Sequence, residues 1–223
     1  ECFLLRAPHK DLIAEAETLD GPAIKVLQSD AKRFCAWLVL GSVLIKSKIK
    51  GKVENTLVLI GPDGEIKATY VKMHLFQSLV ANAKVSEADF CVAGKKPLMV
   101  DIHGFKVGFS ICYDIRFPDL YQYYVKEGAD LLIIPAVFTF ETGRYHWHIL
   151  VKARAIETQC FVIAANQSGQ GANRIMAYGH SLILDPCGLT LSEAGAQSKT
   201  ILSATLEKQR LQEVRKQMPM QRD

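Results

Sequence analysis

At 223 residues, with 49% hydrophobic and 22% charged residues, the chain has the composition of an ordinary globular domain able to bury a sizeable core. Its net charge of +4 comes from interspersed residues, without a basic stripe carrying interleaved aromatics, which argues against a nucleic-acid partner. The longest apolar stretches, residues 34–45 and 131–140, are too short for a membrane span.

Gly21-Pro22 opens a predicted helix that runs to Lys32, with Ile24, Val26 and Leu27 apolar. Residues 34–45 and 55–60 read as strands, Gly61-Pro-Asp-Gly64 as a hairpin turn, and 65–71 as the returning strand. Lys72 and His74 therefore fall where that strand ends. Residues 77–96 read as a long irregular segment, of a kind that often carries function in a compact domain. Residues 97–102 and 105–111 form a hairpin around His103-Gly104.

Beyond Cys112 the pattern is helix 117–127, strand 131–135, helix 146–158 and strand 160–165. That alternation requires right-handed crossovers and parallel strands. Antiparallel strands 178–184, 189–193 and 200–204 follow, around the turn Asp185-Pro-Cys-Gly188, and helix 206–217 closes the chain. No repeat, low-complexity segment or linker interrupts it, so residues 1–223 read as one domain.

Cys112 ends the apolar run Val107-Gly-Phe-Ser-Ile and precedes a turn whose Pro118 and Asp119 suit the first turn of a helix. Such strand-to-helix junctions are where open α/β folds place their sites, and the N–H groups of the turn can face a developing oxyanion. The competing reading is a buried strand cysteine that packs as a small hydrophobe. Six cysteines without any CxxC spacing, several of them inside apolar strands, read as reduced thiols. Reduced thiols imply a reducing compartment, the cytoplasm or a mitochondrion.

Three other signals are weaker. Gly108-x-Ser110 lacks the closing Gly of a serine-hydrolase elbow, and Ser110 points away from a residue at the turn. His146-x-His148 does not share a helix face, and the sequence offers no obvious third metal ligand. Gly169-x-Gly171 does not join a strand to a helix in the frame a phosphate loop needs. Lys72, flanked by Tyr70 and His74, reads by itself as an exposed edge charge.

Together these residues carry a resemblance. Tyr70-Val-Lys72-Met-His74-Leu-Phe76, followed by Cys112-Tyr-Asp114-Ile-Arg116-Phe-Pro118, resembles the carbon–nitrogen hydrolase (nitrilase-like) superfamily. Ala136-x-Phe138-Thr139-x-x-Thr142-Gly143-x-x-His146-Trp147, then Arg154-Ala-Ile-Glu157, Tyr178-Gly-His180-Ser181 and Asp185-Pro-x-Gly188, resemble its Nit, or ω-amidase-like, branch. The resemblance implies an α/β fold, an α-β-β-α four-layer sandwich. It also implies that the family's first strand and helix lie upstream of Glu1, so the domain is expected to lack its N-terminal part and to dissolve poorly.

The implied machinery is a Glu–Lys–Cys triad, matched here by Glu1, Lys72 and Cys112, with Glu87 supporting the lysine. Glu1 would act as base, Cys112 as nucleophile, and Lys72 with the Tyr113 N–H as oxyanion partners. Arg116, Phe138 and Thr139 are expected around the substrate, with Trp147 lining or backing the same pocket. The implied reaction is hydrolysis of a small carboxamide, an ω-amide of a dicarboxylate, to acid and ammonia through a cysteine thioester. Nitrile or N-carbamoyl hydrolysis on the same triad is the enzymatic alternative, and an inactive or non-catalytic interaction subunit the other. The scheme requires no metal and no organic cofactor. Relatives of this kind associate, so a homodimer or larger homo-oligomer is expected. The loop after Lys72 departs from the usual pattern at Gln77, Ala88 and Ala93-Gly94, which bears on specificity.

Overall fold

The computed structural model describes residues 1–2, 9–80, 83–171, 175–196 and 200–220. They form two compact units, Glu1–Lys96 and Pro97–Asp223. Among the described residues no helix is long and apolar enough to cross a membrane. No disulfide joins any of the six cysteines.

The first unit holds helices α1 (His9–Ala14) and α2 (Pro22–Phe34) and strands β1 (Leu38–Lys46), β2 (Val53–Ile60) and β3 (Ile66–Val71). The three strands form an antiparallel sheet with β2 in the middle. Helix α2 starts with Pro22 at its first position and lays Ile24 and Ala31 on Leu40, Val43, Ile45, Val58 and Ile60. It runs two residues past the predicted end and closes on Cys35, whose φ of +50° turns its N–H back to the carbonyls of Ala31 and Lys32. That cap takes Phe34 and Cys35 out of the strand expected over 34–45. The segment after Lys72, expected to be irregular, contains the hairpin β4 (Gln77–Val80) and β5 (Ala83–Ser86) and a 3-10 turn at Glu87–Asp89. Its short strands pair with each other as a local hairpin, and strand formation depends on such pairing more than on intrinsic propensity.

The second unit is a six-stranded sheet in the order β13-β12-β9-β8-β7-β6. Its strands are β6 (Met99–Ile102), β7 (Phe105–Phe109), β8 (Leu131–Ile133), β9 (Phe161–Ala164), β12 (Leu182–Leu184) and β13 (Thr190–Glu193). The expected crossovers are present: β7, β8 and β9 run parallel, linked through α3 (Pro118–Lys126) and α4 (Phe140–Thr158). Helix α3 lies so close to β7 that a Cβ at Gly108 would stand 2.8 Å from the Tyr124 ring. Close packing therefore explains the glycine of Gly108-x-Ser110, and the Ser110 hydroxyl is turned to Tyr121 of α3 at 2.8 Å.

Helix α4 begins six residues before the predicted start, directly after the N-cap Thr139, whose Oγ1 accepts from the Thr142 N–H. The expected strand 178–184 is two strands, β11 (Met176–Tyr178), paired with β10 (Ser168–Gln170), and β12. Gly179 and His180 between them have φ of +75° and +57°, so the chain turns there. Residues 200–206 have no regular structure, in place of the expected strand at 200–204. Helix α5 (Lys208–Gln217) buries Leu211 and Val214 and holds Asp185 through Arg210 at 3.0 and 2.8 Å.

Candidate active site

In the first unit the end of the sheet carries a buried charge cluster. The Lys72 N–H bonds the Asn55 carbonyl at 2.9 Å, continuing the β2–β3 ladder by one residue. The alternation of a strand then puts Lys72 on the side of buried Tyr70 rather than at an exposed edge. Its Nζ lies 2.5 Å from Glu1 Oε1 and 2.8 Å from Glu87 Oε2, and its side chain is 1% exposed. Glu87 heads the 3-10 turn, and its Oε2 also accepts the Phe76 N–H at 2.6 Å. The Asn55 amide bridges both carboxylates, donating to Glu1 Oε1 at 2.8 Å and Glu87 Oε1 at 3.4 Å. The structure thus brings Glu1, Lys72 and Glu87 together as the sequence pattern requires.

Asn55 is a site residue that no sequence motif marks. Its signal is an amide inside the apolar strand Val53–Ile60 that is fully buried.

Two carboxylates share one buried cation, so charge in this cluster is finely balanced. Burial pushes the Glu87 carboxyl above its ordinary range, against the pull of Lys72, with Glu1 adding a further push upward. Burial, with Glu1 beside it, raises the Cys2 thiol to about 12. Burial likewise lifts the Cys91 thiol well above its ordinary value. Both stay protonated at neutral pH and are poor nucleophiles.

In the second unit Cys112 is buried, has φ of +46°, and starts a 3-10 turn, Cys112–Arg116, directly after the extended Ile111. Its N–H bonds the Pro135 carbonyl at 2.8 Å. The fully buried Asp114 holds the turn from inside, its carboxylate accepting the Ile111 N–H at 2.9 Å. Arg154 of α4 holds it from the other end: Nε and one terminal nitrogen donate to the Ile115 carbonyl at 2.9 and 2.7 Å, and the guanidinium pairs with Glu157. The Arg154-Ala-Ile-Glu157 motif is thereby explained as a clamp on the cysteine's turn.

Arg116 sits over the rings of Phe138 at 5.3 Å and Tyr113 at 5.8 Å, with a nitrogen 3.2 Å from His146 Nδ1. Phe138 packs on Trp147 with centroids 4.9 Å apart, and the Asn166 side chain fixes its N–H at 2.9 Å. Thr139 caps α4, as described above. A Cβ at Gly143 would stand 2.3 Å from the Tyr178 ring, so only glycine fits in that turn of the helix. His146 and His148 take different partners, as their spacing predicts: His146 meets Arg116, whereas His148 meets Glu193.

The Glu–Lys–Glu cluster and the cysteine turn hold the residues that the sequence resemblance to nitrilase-like hydrolases implies. Residues 1–216 match the carbon-nitrogen hydrolase family, and the chain belongs to it. A deaminated glutathione amidase of Synechocystis sp. is 38% identical over 223 residues, covering 98% of this chain and 82% of that protein. The omega-amidase NIT2 of Danio rerio is 36% identical over 206 residues, covering 92% of this chain and 73% of that one. The crystal structure of Saccharomyces cerevisiae Nit3, a member of branch 10 of the nitrilase superfamily, matches with a TM-score of 0.87. Its sequence identity is 29%, over 99% of this chain and 79% of that one. The α/β fold is therefore that of the nitrilase superfamily, and the chain is a hydrolase of non-peptide carbon–nitrogen bonds, with amide hydrolysis as its reaction class.

Proposed function

We propose that this enzyme hydrolyses a small carboxamide bearing a second, anionic carboxyl group, an ω-amide of a dicarboxylate, to acid and ammonia through a thioester on Cys112. The observation that carries the reading is Lys72, a lysine 1% exposed and held between two carboxylates. A buried cation of this kind is a poor way to stabilise a fold and a good way to stabilise an oxyanion.

In the proposed cycle Glu1 takes the thiol proton and the Cys112 sulfur attacks the amide carbon. The carbonyl electron pair moves to oxygen, which Lys72 and the Tyr113 N–H stabilise. The C–N bond then breaks as Glu1 returns the proton to nitrogen, releasing ammonia. Water attacks the thioester as Glu1 accepts its proton, and the C–S bond breaks as Glu1 passes that proton to sulfur, giving the acid and the thiol and freeing Glu1 for the next cycle. Glu87 keeps Lys72 aimed. Arg116, half-exposed and backed by the faces of Phe138 and Tyr113, supplies the positive charge for the substrate's distal carboxylate. Thr139 flanks the same region next to Phe138. The two relatives named above, both amidases, support a carboxamide over a nitrile or a carbamoyl group.

Two copies are proposed to associate through α4, where Tyr145, Ile149 and Ile156 are 59%, 69% and 51% exposed along one side of the helix. The six unbridged thiols support work in a reducing compartment such as the cytoplasm.

The test is a panel of ω-amides, plain amides, nitriles and N-carbamoyl compounds scored for ammonia and carbon dioxide. Mass spectrometry on quenched reactions accompanies it. Ammonia without carbon dioxide from the ω-amides, with an acyl mass on Cys112 that the Cys112→Ala variant lacks, is the expected result. Full turnover by Cys112→Ala, or turnover confined to nitriles or carbamoyl compounds, would overturn the proposal.

A further inference from the structure

We propose that His148, His180 and Glu193 form a binding site for a divalent first-row transition-metal ion, zinc foremost. His148 Nε2 lies 2.9 Å from Glu193 Oε1, and His180 Nδ1 lies 3.2 Å from the same oxygen. One ligand atom from each residue falls within 4.8 Å of the other two. A zinc ion about 2.0–2.2 Å from two imidazole nitrogens and a carboxylate oxygen needs donors roughly 3.3–3.5 Å apart. The two distances to Glu193 are within a few tenths of an ångström of that. Two imidazoles and a carboxylate, with no thiolate, suit zinc, copper or nickel rather than calcium or magnesium.

The donors come from three places that the fold fixes independently. His148 is in the first half of α4, Glu193 ends β13 at the margin of the sheet, and His180 occupies the turn between β11 and β12. His180 is held in the left-handed conformation, φ +57°, and its carbonyl accepts the Trp147 indole N–H at 2.6 Å. Tyr178 supplies what outer partners of metal-bound histidines usually supply. Its hydroxyl lies 3.5 Å from His148 Nδ1, the nitrogen left over when Nε2 binds metal, and its ring lies edge-on to His148 and 4.6 Å from His180. Both histidines are half-buried and Glu193 is exposed, so an ion can enter and keep water in a fourth position.

An ion there would tie the start of α4 to the sheet edge beside Trp147. Through the Trp147–Phe138 contact it would brace the ring under Arg116. The role expected is structural or regulatory.

The experiment uses the full chain carrying Cys112→Ala, stripped with chelator, so that this thiol does not compete. Titration with zinc, and with cobalt(II) as a spectroscopic probe, should give one equivalent bound. The cobalt spectrum should show ligand-field bands of a nitrogen and oxygen site without a thiolate charge-transfer band. Zinc should raise the melting temperature. His148→Gln, Glu193→Gln and His180→Asn, the last chosen because Asn tolerates the left-handed backbone, should each weaken binding more than about tenfold and remove the thermal shift. No bound equivalent, a thiolate band, or unchanged affinity in the folded His148→Gln and Glu193→Gln variants would overturn the proposal.

Discussion

Replacing Lys72 with methionine removes one buried cation and leaves two buried carboxylates facing each other. Glu1 and Glu87 side chains are 6% and 14% exposed, and their oxygens lie 2.5 and 2.8 Å from Nζ, so they are no more than about 5 Å apart. With an effective dielectric of about 20, two unit charges at that separation repel by about 3 kcal/mol. Breaking a buried ion pair by deleting one partner typically costs about 3–5 kcal/mol, which agrees. One carboxyl of the variant should escape this by keeping a proton, so its folded-state pKa rises above the unfolded value of about 4.3. The folded variant then binds more protons than the unfolded chain between those two values, and its stability falls as pH rises through the folded pKa. Urea denaturation should therefore show a midpoint lowered by more than about 1 M at neutral pH, with the gap to wild type narrowing in acid. Turnover should fall at least about 10²–10³-fold with the oxyanion partner gone. A Lys72→Met variant with the wild-type midpoint at neutral pH, or with wild-type turnover, would refute both the buried cluster and its proposed role.

Glu87→Gln should flatten the pH dependence of stability. Burial raises the Glu87 carboxyl, so its contribution is complete below the ordinary glutamate value and is lost as pH rises through the folded one, a decline the Gln variant should not show in denaturation curves. Arg116→Gln should raise KM for amides with a distal carboxylate by about 10–100-fold, the value of a charge-assisted hydrogen bond, and leave KM for neutral amides unchanged in steady-state assays. Ile149→Glu, on the exposed side of α4, should shift sedimentation toward the monomer without changing the circular dichroism spectrum.

The parallel core of the second unit was legible because its strands are short apolar runs separated by helical stretches, a pattern set by local burial. Cys112 was legible for the same reason: it stands at the end of such a run, six residues before the proline that starts the following helix. Lys72 was placed correctly at a strand end, yet nothing local says that it is buried. Its burial follows from two carboxylates 71 and 15 residues away that complete its coordination. Asn55, and the role of Arg154 within its motif, were opaque for a related reason. Each earns its place by hydrogen bonds to groups 54 and 39 residues distant, and periodicity carries no information about them. His148 shows the limit most clearly. Helical spacing separates it from His146, two residues away, but does not say what it meets instead: a left-handed turn at Gly179-His180 and the edge strand β13 supply its neighbours.

Two local costs in this chain point the same way. Packing alone gives no reason to bury Lys72 between Glu1 and Glu87, since replacing such a charge cluster with apolar side chains of similar volume is often neutral or stabilising. Packing gives no reason either to hold Cys112 at φ +46°, a conformation that disfavours a side chain by about 1–2 kcal/mol when a glycine would take it freely. The first unit supports its cluster with Asn55 and the Phe76 N–H, and the second supports its turn with Asp114 and Arg154. Strain and buried charge that are over-determined by dedicated partners mark places where the fold serves chemistry rather than stability. The cation, the carboxylates and the thiol so marked are the groups that the proposed hydrolysis of an amide through a thioester uses.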